Sequence, residues 1–304
     1  MLIRSPWLML AVLAPAALSA QRDTTRLDTI PVRPLVVTIS KVPLQAERIG
    51  FSFSLLTRDQ LNAPRPVYAA DALRNIGGAH IDEAVGGGGP TIVRLRAGEE
   101  VFTQILMDGV QVNQNGGFFD MQGLTLGQVE RIEIARGPQS AIWGSSAMTG
   151  VINFVTQAGQ PGNARWSVQA ERGGASTRSH SYLGNAAVSG GSDRLRYSGQ
   201  LGTSFMRGFH MLPHDIHSRE GTVRIDASAS PRLELTAIAR AIGVDANLPV
   251  RDPGATRAPL DPNARNERDR YIGLVRARHS LHPNLAQQVR VSTYREDFDY
   301  QDEE

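Results

Sequence analysis

Hydrophobic and polar residues follow two different rhythms along the chain. From Ala164 onward they alternate with period two. In "RLRYSGQLGTSF", Leu195, Tyr197, Leu201 and Phe205 share one face with Gly199 and Thr203, while Arg194, Arg196, Ser198 and Gln200 occupy the other. "TVRIDASA" sets Val223, Ile225, Ala227 and Ala229 against Thr222, Arg224, Asp226 and Ser228, and "RWSVQAER" repeats the pattern with Trp166, Val168 and Ala170. Such alternation marks strands whose two faces meet unlike surroundings. It predicts about seven strands, near residues 164–172, 179–190, 193–206, 219–230, 232–243, 268–281 and 285–298.

The connections between these segments alternate too. "GGSD" (190–193), "SPR" (230–232) and "HPN" (282–284) are tight turns, whereas residues 173–178, 205–219 and 244–268 are generally longer loops. Short turns at one end and long loops at the other is the asymmetry of an outer-membrane β-barrel. A soluble β-sandwich is the competing architecture. It would need larger apolar residues on the buried face, and the plentiful Ala, Gly and Ser suit a barrel wall around a polar lumen.

Between Ile49 and Gly159 the rhythm is mixed, and an α/β domain is expected. "FSFSLL" reads as a strand, and Thr57-Arg58-Asp59-Gln60 fits a capping box that opens a short helix. Ala69 to Ile76 has helical spacing and stops at Gly77-Gly78. "GAHIDE", "TIVRLR", "TQILMDG", "VERIEIA" and "GVINFVT" read as strands, and Asp108-Gly109 signals a hairpin turn. "AVGGGGP" (84–90) and "NQNGGFFD" (113–120) cannot hold regular structure and read as loops.

The N-terminus changes the picture. Arg4, the apolar run Trp7 to Leu18 and the small residues of Ala17-Leu18-Ser19-Ala20 have the layout of an export signal. The run is about 12 residues, shorter than the ~20 of a spanning helix, although a membrane anchor is the alternative. The segment after it, residues 21–40, is polar except for "PLVVTIS", a short β-prone run with nothing beside it to pair with. It is either an ordinary first strand or a peptide presented for strand addition to another protein. The chain has no cysteine, which excludes disulfides, thiolate chemistry and zinc–thiolate sites. A formal charge of +2 gives no argument for nucleic acid.

Candidate chemistry is sparse. "GSSAMTG" lacks the Gly-x-Ser-x-Gly pattern and "GGGG" lacks the Gly-Lys-Ser/Thr ending of a phosphate loop, so no enzyme signature is present. His210, His214 and His217 lie in what reads as a long loop and could ligate a metal or haem iron, but Pro213 interrupts any helix that would align them. A ligand-binding periplasmic module without a pore is a third functional class.

One ordered run decides between these readings. "ILMDGVQVN" is followed by "VERIEIARGPQSAIWGSSAMTGVINFVT" and then by alternating strands. This resembles the plug domain of the TonB-dependent outer-membrane receptors. The resemblance rests on Asp108, Gly109 and Asn113, on Val129 to Ile134, on Arg136 to Gly144 and on Thr149 to Phe154. Trp143 stands where the family usually has Tyr, and Thr149 replaces the first of two glycines. The match is close over roughly residues 30 to 157 and holds only in style over the strands.

The resemblance implies an α+β plug followed by an antiparallel transmembrane β-barrel. The division would be a signal peptide (1–20), a TonB-box segment (21–40), a plug (41–160) and the N-terminal part of a barrel (161–304). A family barrel has about 22 strands, so about seven, ending on the charged "YQDEE", leads one to expect a truncated or split chain. Pro34, Leu35, Val36, Val37 and Thr38 are the implied TonB contact, with "DTIPV" (28–32) as the second location. Val85, Gly86, Gly87, Gly88, Gly89, Asn113, Gln114, Asn115, Phe118 and Phe119 occupy the apical-loop positions that bind ligand. Phe118 and Phe119 would stack on the ligand or be buried beneath a loop. The implied function is energised import of a scarce ligand, a ferric siderophore or cobalamin, with TonB and outer-membrane lipid as partners and no cofactor. Within "VERIEIARGPQSAIWG", Val129, Ile132 and Ile134 should anchor a sheet. Glu130, Arg131, Glu133 and Arg136 should face the wall. Gly137 should turn the chain, Pro138 should begin a short helix, Ser140 and Ala141 should approach the wall, and Trp143 should pack the turn down.

Overall fold

The computed structural model describes residues 35–36, 44–45, 52–62, 66–83, 90–114, 117–174, 179–207, 215–247, 250–251, 260–261, 264–282 and 285–301. Strands β1 (Leu35–Val36) and β2 (Leu44–Gln45) pair antiparallel with each other. The β-prone run therefore has a partner in its own chain, contrary to the expectation that it stands alone. Pro34, Val37 and Thr38 lie outside the described residues, as do the export signal and residues 28–32.

The α+β domain follows in the expected order: β3 (Phe53–Thr57), α1 (Arg58–Asn62), α2 (Ala69–Arg74), β4 (Ala79–Glu83), β5 (Thr91–Leu95), β6 (Thr103–Met107), β7 (Val110–Gln111), β8 (Val129–Arg136), α3 (Ser140–Trp143) and β9 (Gly150–Thr156). The sheet order is β3-β8-β9-β6-β7, with β4 and β5 a separate hairpin. Strand β9 is central and buried at every residue, which its near-continuous apolar sequence permits. It runs parallel to β6 and antiparallel to β8. Half of the capping box forms, since Gln60 Oε1 accepts the Thr57 N–H at 3.0 Å. Asp108 and Gly109 have φ of 52° and 79° and join β6 to β7, so both central residues take the left-handed conformation of a tight hairpin turn.

The second part is a seven-stranded antiparallel meander: β10 (Gly162–Gly174), β11 (His180–Gly191), β12 (Leu195–Arg207), β13 (Asp215–Ser230), β14 (Leu233–Asn247), then β15 (Val250–Arg251) and β16 (Leu260–Asp261) as a small hairpin, β17 (Arg265–His282) and β18 (Leu285–Gln301). All seven alternating segments are strands. His217 lies inside β13, paired with Phe205, and not in a loop as its neighbours in sequence suggested. His210 and His214 are outside the described residues.

Burial on this sheet is inverted relative to a soluble protein. The apolar face is open, with Trp166 77%, Leu201 71% and Val223 52% exposed. The polar face is covered: Ser198, Gln200, Thr222, Asp226, Arg240, Arg268 and Arg270 are all buried. The strand register aligns Val188, Gly199, Val223, Ala239, Gly273 and Thr293 in one outward row. From Leu195 to Leu201 the outward rows are apolar or small, except for Arg295 at the β18 end of the Leu201 row, over roughly 20 Å of strand. The next row, through Thr203, Arg219, Asp269 and Asp297, is polar or charged. Among the described residues no helix is long and apolar enough to cross a membrane. The covered face packs on the α+β domain: Ile238, Ile242, Ile272 and Leu274 share one cluster with Ile105, Ile132, Ile152 and Phe154.

Candidate functional site

The loop between β7 and β8 is fixed at both ends by side chains. At its start, Asn113 Oδ1 accepts the Ile105 N–H at 2.7 Å and the Gln104 Nε2 at 2.8 Å, while its Nδ2 donates to the Thr103 carbonyl at 3.0 Å. Asn113 thus brackets β6, and its polar atoms are spent on the domain's own chain. At its end, the buried Asp120 carboxylate accepts the backbone N–H groups of Thr91 and Gln122, both at 2.8 Å, and a bond from Arg268 of β17. The Asp120 carbonyl accepts Arg270 Nη2 at 2.8 Å. Glu296 of β18 pairs with both guanidiniums, at 3.1 Å from Arg268 and 3.2 Å from Arg270, and together with Asp120 balances their charge. It also accepts Gln114 Nε2 at 3.0 Å and the Tyr294 hydroxyl.

This geometry sorts the expected loop residues. Phe119 is 2% exposed and lies 4.5 Å beneath the Arg270 guanidinium, so the buried alternative holds and no ring face is left for a ligand. Phe118 is half-buried, and Gln114 is exposed. Val85, Gly86, Gly87, Gly88, Gly89 and Asn115 lie outside the described residues. Among the described residues no group of three or more His, Asp or Glu side chains could hold a metal ion. His217 instead shares a bond with the Thr203 hydroxyl at 3.1 Å. The Asp120–Arg268–Arg270–Glu296 network was missed in sequence, because its members are isolated charges on alternating strands and nothing local links them.

The opposite side of the domain is also tied to the sheet. Asp108 accepts the Thr156 N–H at 2.8 Å, Arg240 donates to Thr156 Oγ1 at 3.0 Å, and Arg224 donates to the Thr156 carbonyl at 2.6 Å. Arg290 Nη1 donates to the Gly109 carbonyl at 2.8 Å.

The run Arg136 to Gly144 differs in detail from expectation. Gly137 turns the chain at φ 105°, and Trp143 is buried with Leu106, Ala147 and Val151. Gln139 takes the position before the first helical residue, so Pro138 precedes the helix and does not begin it. Ser140 and Ala141 are exposed. Arg136 donates to Ser54 Oγ at 2.8 Å, and Glu133 accepts Arg131 Nε at 2.8 Å, two bonds made within the domain. Burial, followed by the nearby Arg96, lowers the Arg136 pKa.

The family model described as the TonB-dependent Receptor Plug Domain matches residues 45–151. The chain carries a TonB-dependent receptor plug. The fold is shared with solved receptors. FauA, the alcaligin outer-membrane receptor of Bordetella pertussis, has TM-score 0.69 at 16% identity over 88% of this chain and 42% of its own. FpvA of P. aeruginosa, solved with a ferric heterologous pyoverdine, has TM-score 0.69 at 15% identity over 85% and 35%. FyuA, the ferric yersiniabactin uptake receptor of Yersinia pestis, has TM-score 0.63 at 18% identity over 82% and 41%. The chain spans less than half the length of each of these receptors. The plug sits against the polar inner face of the wall, and its β7–β8 loop lies at the end of the sheet where the longer connections are.

Proposed function

We propose that this chain is the plug and first wall segment of an outer-membrane receptor that imports a ferric siderophore with energy from TonB. The observation that carries the reading is the inverted sheet: an apolar outer face, a polar inner face, and a folded domain seated on the latter. Open sheet edges are not tolerated in hydrocarbon, so β10 and β18 call for further strands to close the barrel. In this reading residues 1–20 are the export signal, 21–40 the TonB-box segment, 41–160 the plug and 161–304 the start of the barrel.

The ligands named for the similar receptors are the reason to prefer a siderophore over cobalamin. The residues left to receive it are Gln114, Asn115, Phe118 and the glycine loop Val85 to Gly89, together with extracellular loops of the wall. The work is binding, release and movement, and no bond of the ligand is made or broken. TonB would pair with Leu35 to Thr38, and since Leu35 and Val36 already pair with β2, it must displace β2 or use the other edge.

The test is growth of a receptor-deficient Gram-negative host on a panel of ferric siderophores as sole iron source. The full-length protein should restore growth on at least one. Val37→Pro, which removes an N–H that strand addition uses, should abolish uptake and leave binding unchanged. Normal uptake by that variant overturns the assigned TonB contact. Binding of cobalamin with no siderophore bound overturns the ligand class.

A further inference from the structure

The inner face of the wall changes character from one edge to the other. On β14 and β17 it carries Ile238, Ile242, Val244, Ile272 and Leu274, all buried and in one cluster with the plug core. The plug meets this part closely. A Cβ at Gly123 would lie 3.1 Å from a Val244 methyl, and Arg240 of β14 reaches both Met107 and Thr156. On β10, β11 and β12 the residues facing the same way are polar, charged or small, among them Gln169, Asn185, Ser198, Gln200 and Gly202. Leu183 and Met206 are the large apolar exceptions.

On that polar side the plug and the wall stand apart. A cavity of about 710 Å³ separates α1 and the segments 66–67 and 125–127 from β10 to β13. Its size falls among small-molecule pockets, roughly 300–1,000 Å³. Arg58 of α1 turns back to the plug, donating to the Leu126 and Val129 carbonyls at 3.0 and 2.8 Å. From the wall, Gln200 Nε2 donates to Glu220 at 3.0 Å, and Glu220 also accepts the Thr125 hydroxyl. Gln200 Oε1 and Asn185 Oδ1 are buried and accept no hydrogen bond among the described residues. Buried acceptors are normally answered, so two unanswered ones at one polar cavity mark a place for a molecule that donates.

The two sides also differ in what it takes to part them. Parting the plug from β14 and β17 puts buried isoleucine and leucine side chains into water. Parting it from β10, β11 and β12 widens a space that is already polar. The ties there are a Tyr68–Ser204 hydroxyl contact at 3.4 Å and a bond from the Ser198 hydroxyl to the Gln157 carbonyl at 2.7 Å, both of which water can replace.

We propose that the imported complex passes the plug on the β10–β13 side, through this cavity and against Asn185 and Gln200, while the part of the plug seated on β14 and β17 stays in place. The chemistry suits a compact iron complex with N–H or O–H groups for the two carboxamide oxygens. The inference rests on the import reading above.

The experiment keeps the two separable. This chain has no cysteine, so a single introduced one reports on one place, with any cysteine in the rest of the full-length protein replaced by serine. Receptor-deficient cells carrying the full-length protein are given radioiron-loaded hydroxamate and catecholate siderophores. Uptake of none of them sinks the import reading, and the passage with it. With a complex that is taken up, a charged thiol reagent is added from outside to energised cells and to cells whose proton gradient has been collapsed. Asn185→Cys should react about tenfold faster in the energised cells, and Ile272→Cys, at the dry contact, should change by less than about twofold. Asn185→Trp, which fills the cavity, should slow uptake by about tenfold without weakening capture at the apical loops. If that variant does not assemble, the reagent attached to Asn185→Cys serves as the obstruction and should slow uptake likewise. Faster reaction at Ile272→Cys, equal gains at the two positions, or normal uptake past an obstructed Asn185 overturns the passage while leaving the import reading intact.

Discussion

Single residues in the plug carry two tasks each, and this makes their substitution informative. Asp108 supplies a left-handed turn and caps the end of β9 through Thr156. Beside it, Gly109 has φ 79°, and a Cβ there would lie 2.6 Å from Arg290 Nη1. Gly109→Ala should therefore destabilise the protein by about 1–2 kcal/mol from backbone conformation alone, read as a lower midpoint in denaturant. Asp120 is the other case. Asp120→Asn keeps an acceptor for Thr91 and Gln122 but removes the charge that faces Arg268. Its expected cost is roughly 1.5–3 kcal/mol, and chymotrypsin should then cut after Phe118, which the intact clamp restrains. Sequence alone located Trp143 in its packed turn, because its neighbours there are local. It could not assign Phe119 or Asn113, whose partners are a guanidinium 151 positions away in the chain and the backbone of β6.

At the scale of elements, period two was enough to find every strand of the wall and which residues share a face. The tight turns at 190–193 and 230–232 set the register of the strands they join. What period two does not say is which face is wet, and here the polar face is the buried one. Strand ends also ran longer than the pattern: β13 begins at Asp215 and so captures His217, which composition had placed in a loop. The outward band gives a direct check on β17. Val275→Arg puts a charge in the apolar rows and should cost about 2–4 kcal/mol, seen as loss of heat-modifiable protein in the membrane. Asp269→Arg, in the charged row above the band, should assemble normally. Equal assembly of the two variants would contradict the placement of the band.

For the molecule as a whole, the wall grips much of the plug through main-chain oxygens: Arg224 to Thr156, Arg290 to Gly109, Arg270 to Asp120, Ser198 to Gln157 and Ser218 to Gly123. No plug side chain takes part in these bonds, so the seat depends on plug backbone shape, and at Gly109 and Gly123 that shape has positive φ and leaves little room for a Cβ. Strand β3 is different. It lies at the edge of the plug sheet, is paired only with β8, and is the first plug strand after the N-terminal segment. Its start is hooked by Arg136, whose N–H donates to the Ser52 carbonyl at 2.9 Å and whose guanidinium donates to Ser54. A tensile load applied from the N-terminal side, once past the β1–β2 pair, therefore reaches β3 before any other strand of the five-stranded sheet, while β9, flanked on both sides, bears it last. Under force the plug should yield in steps, β3 first, and Arg136→Ala should lower the force of the first step in single-molecule pulling without shifting the later ones.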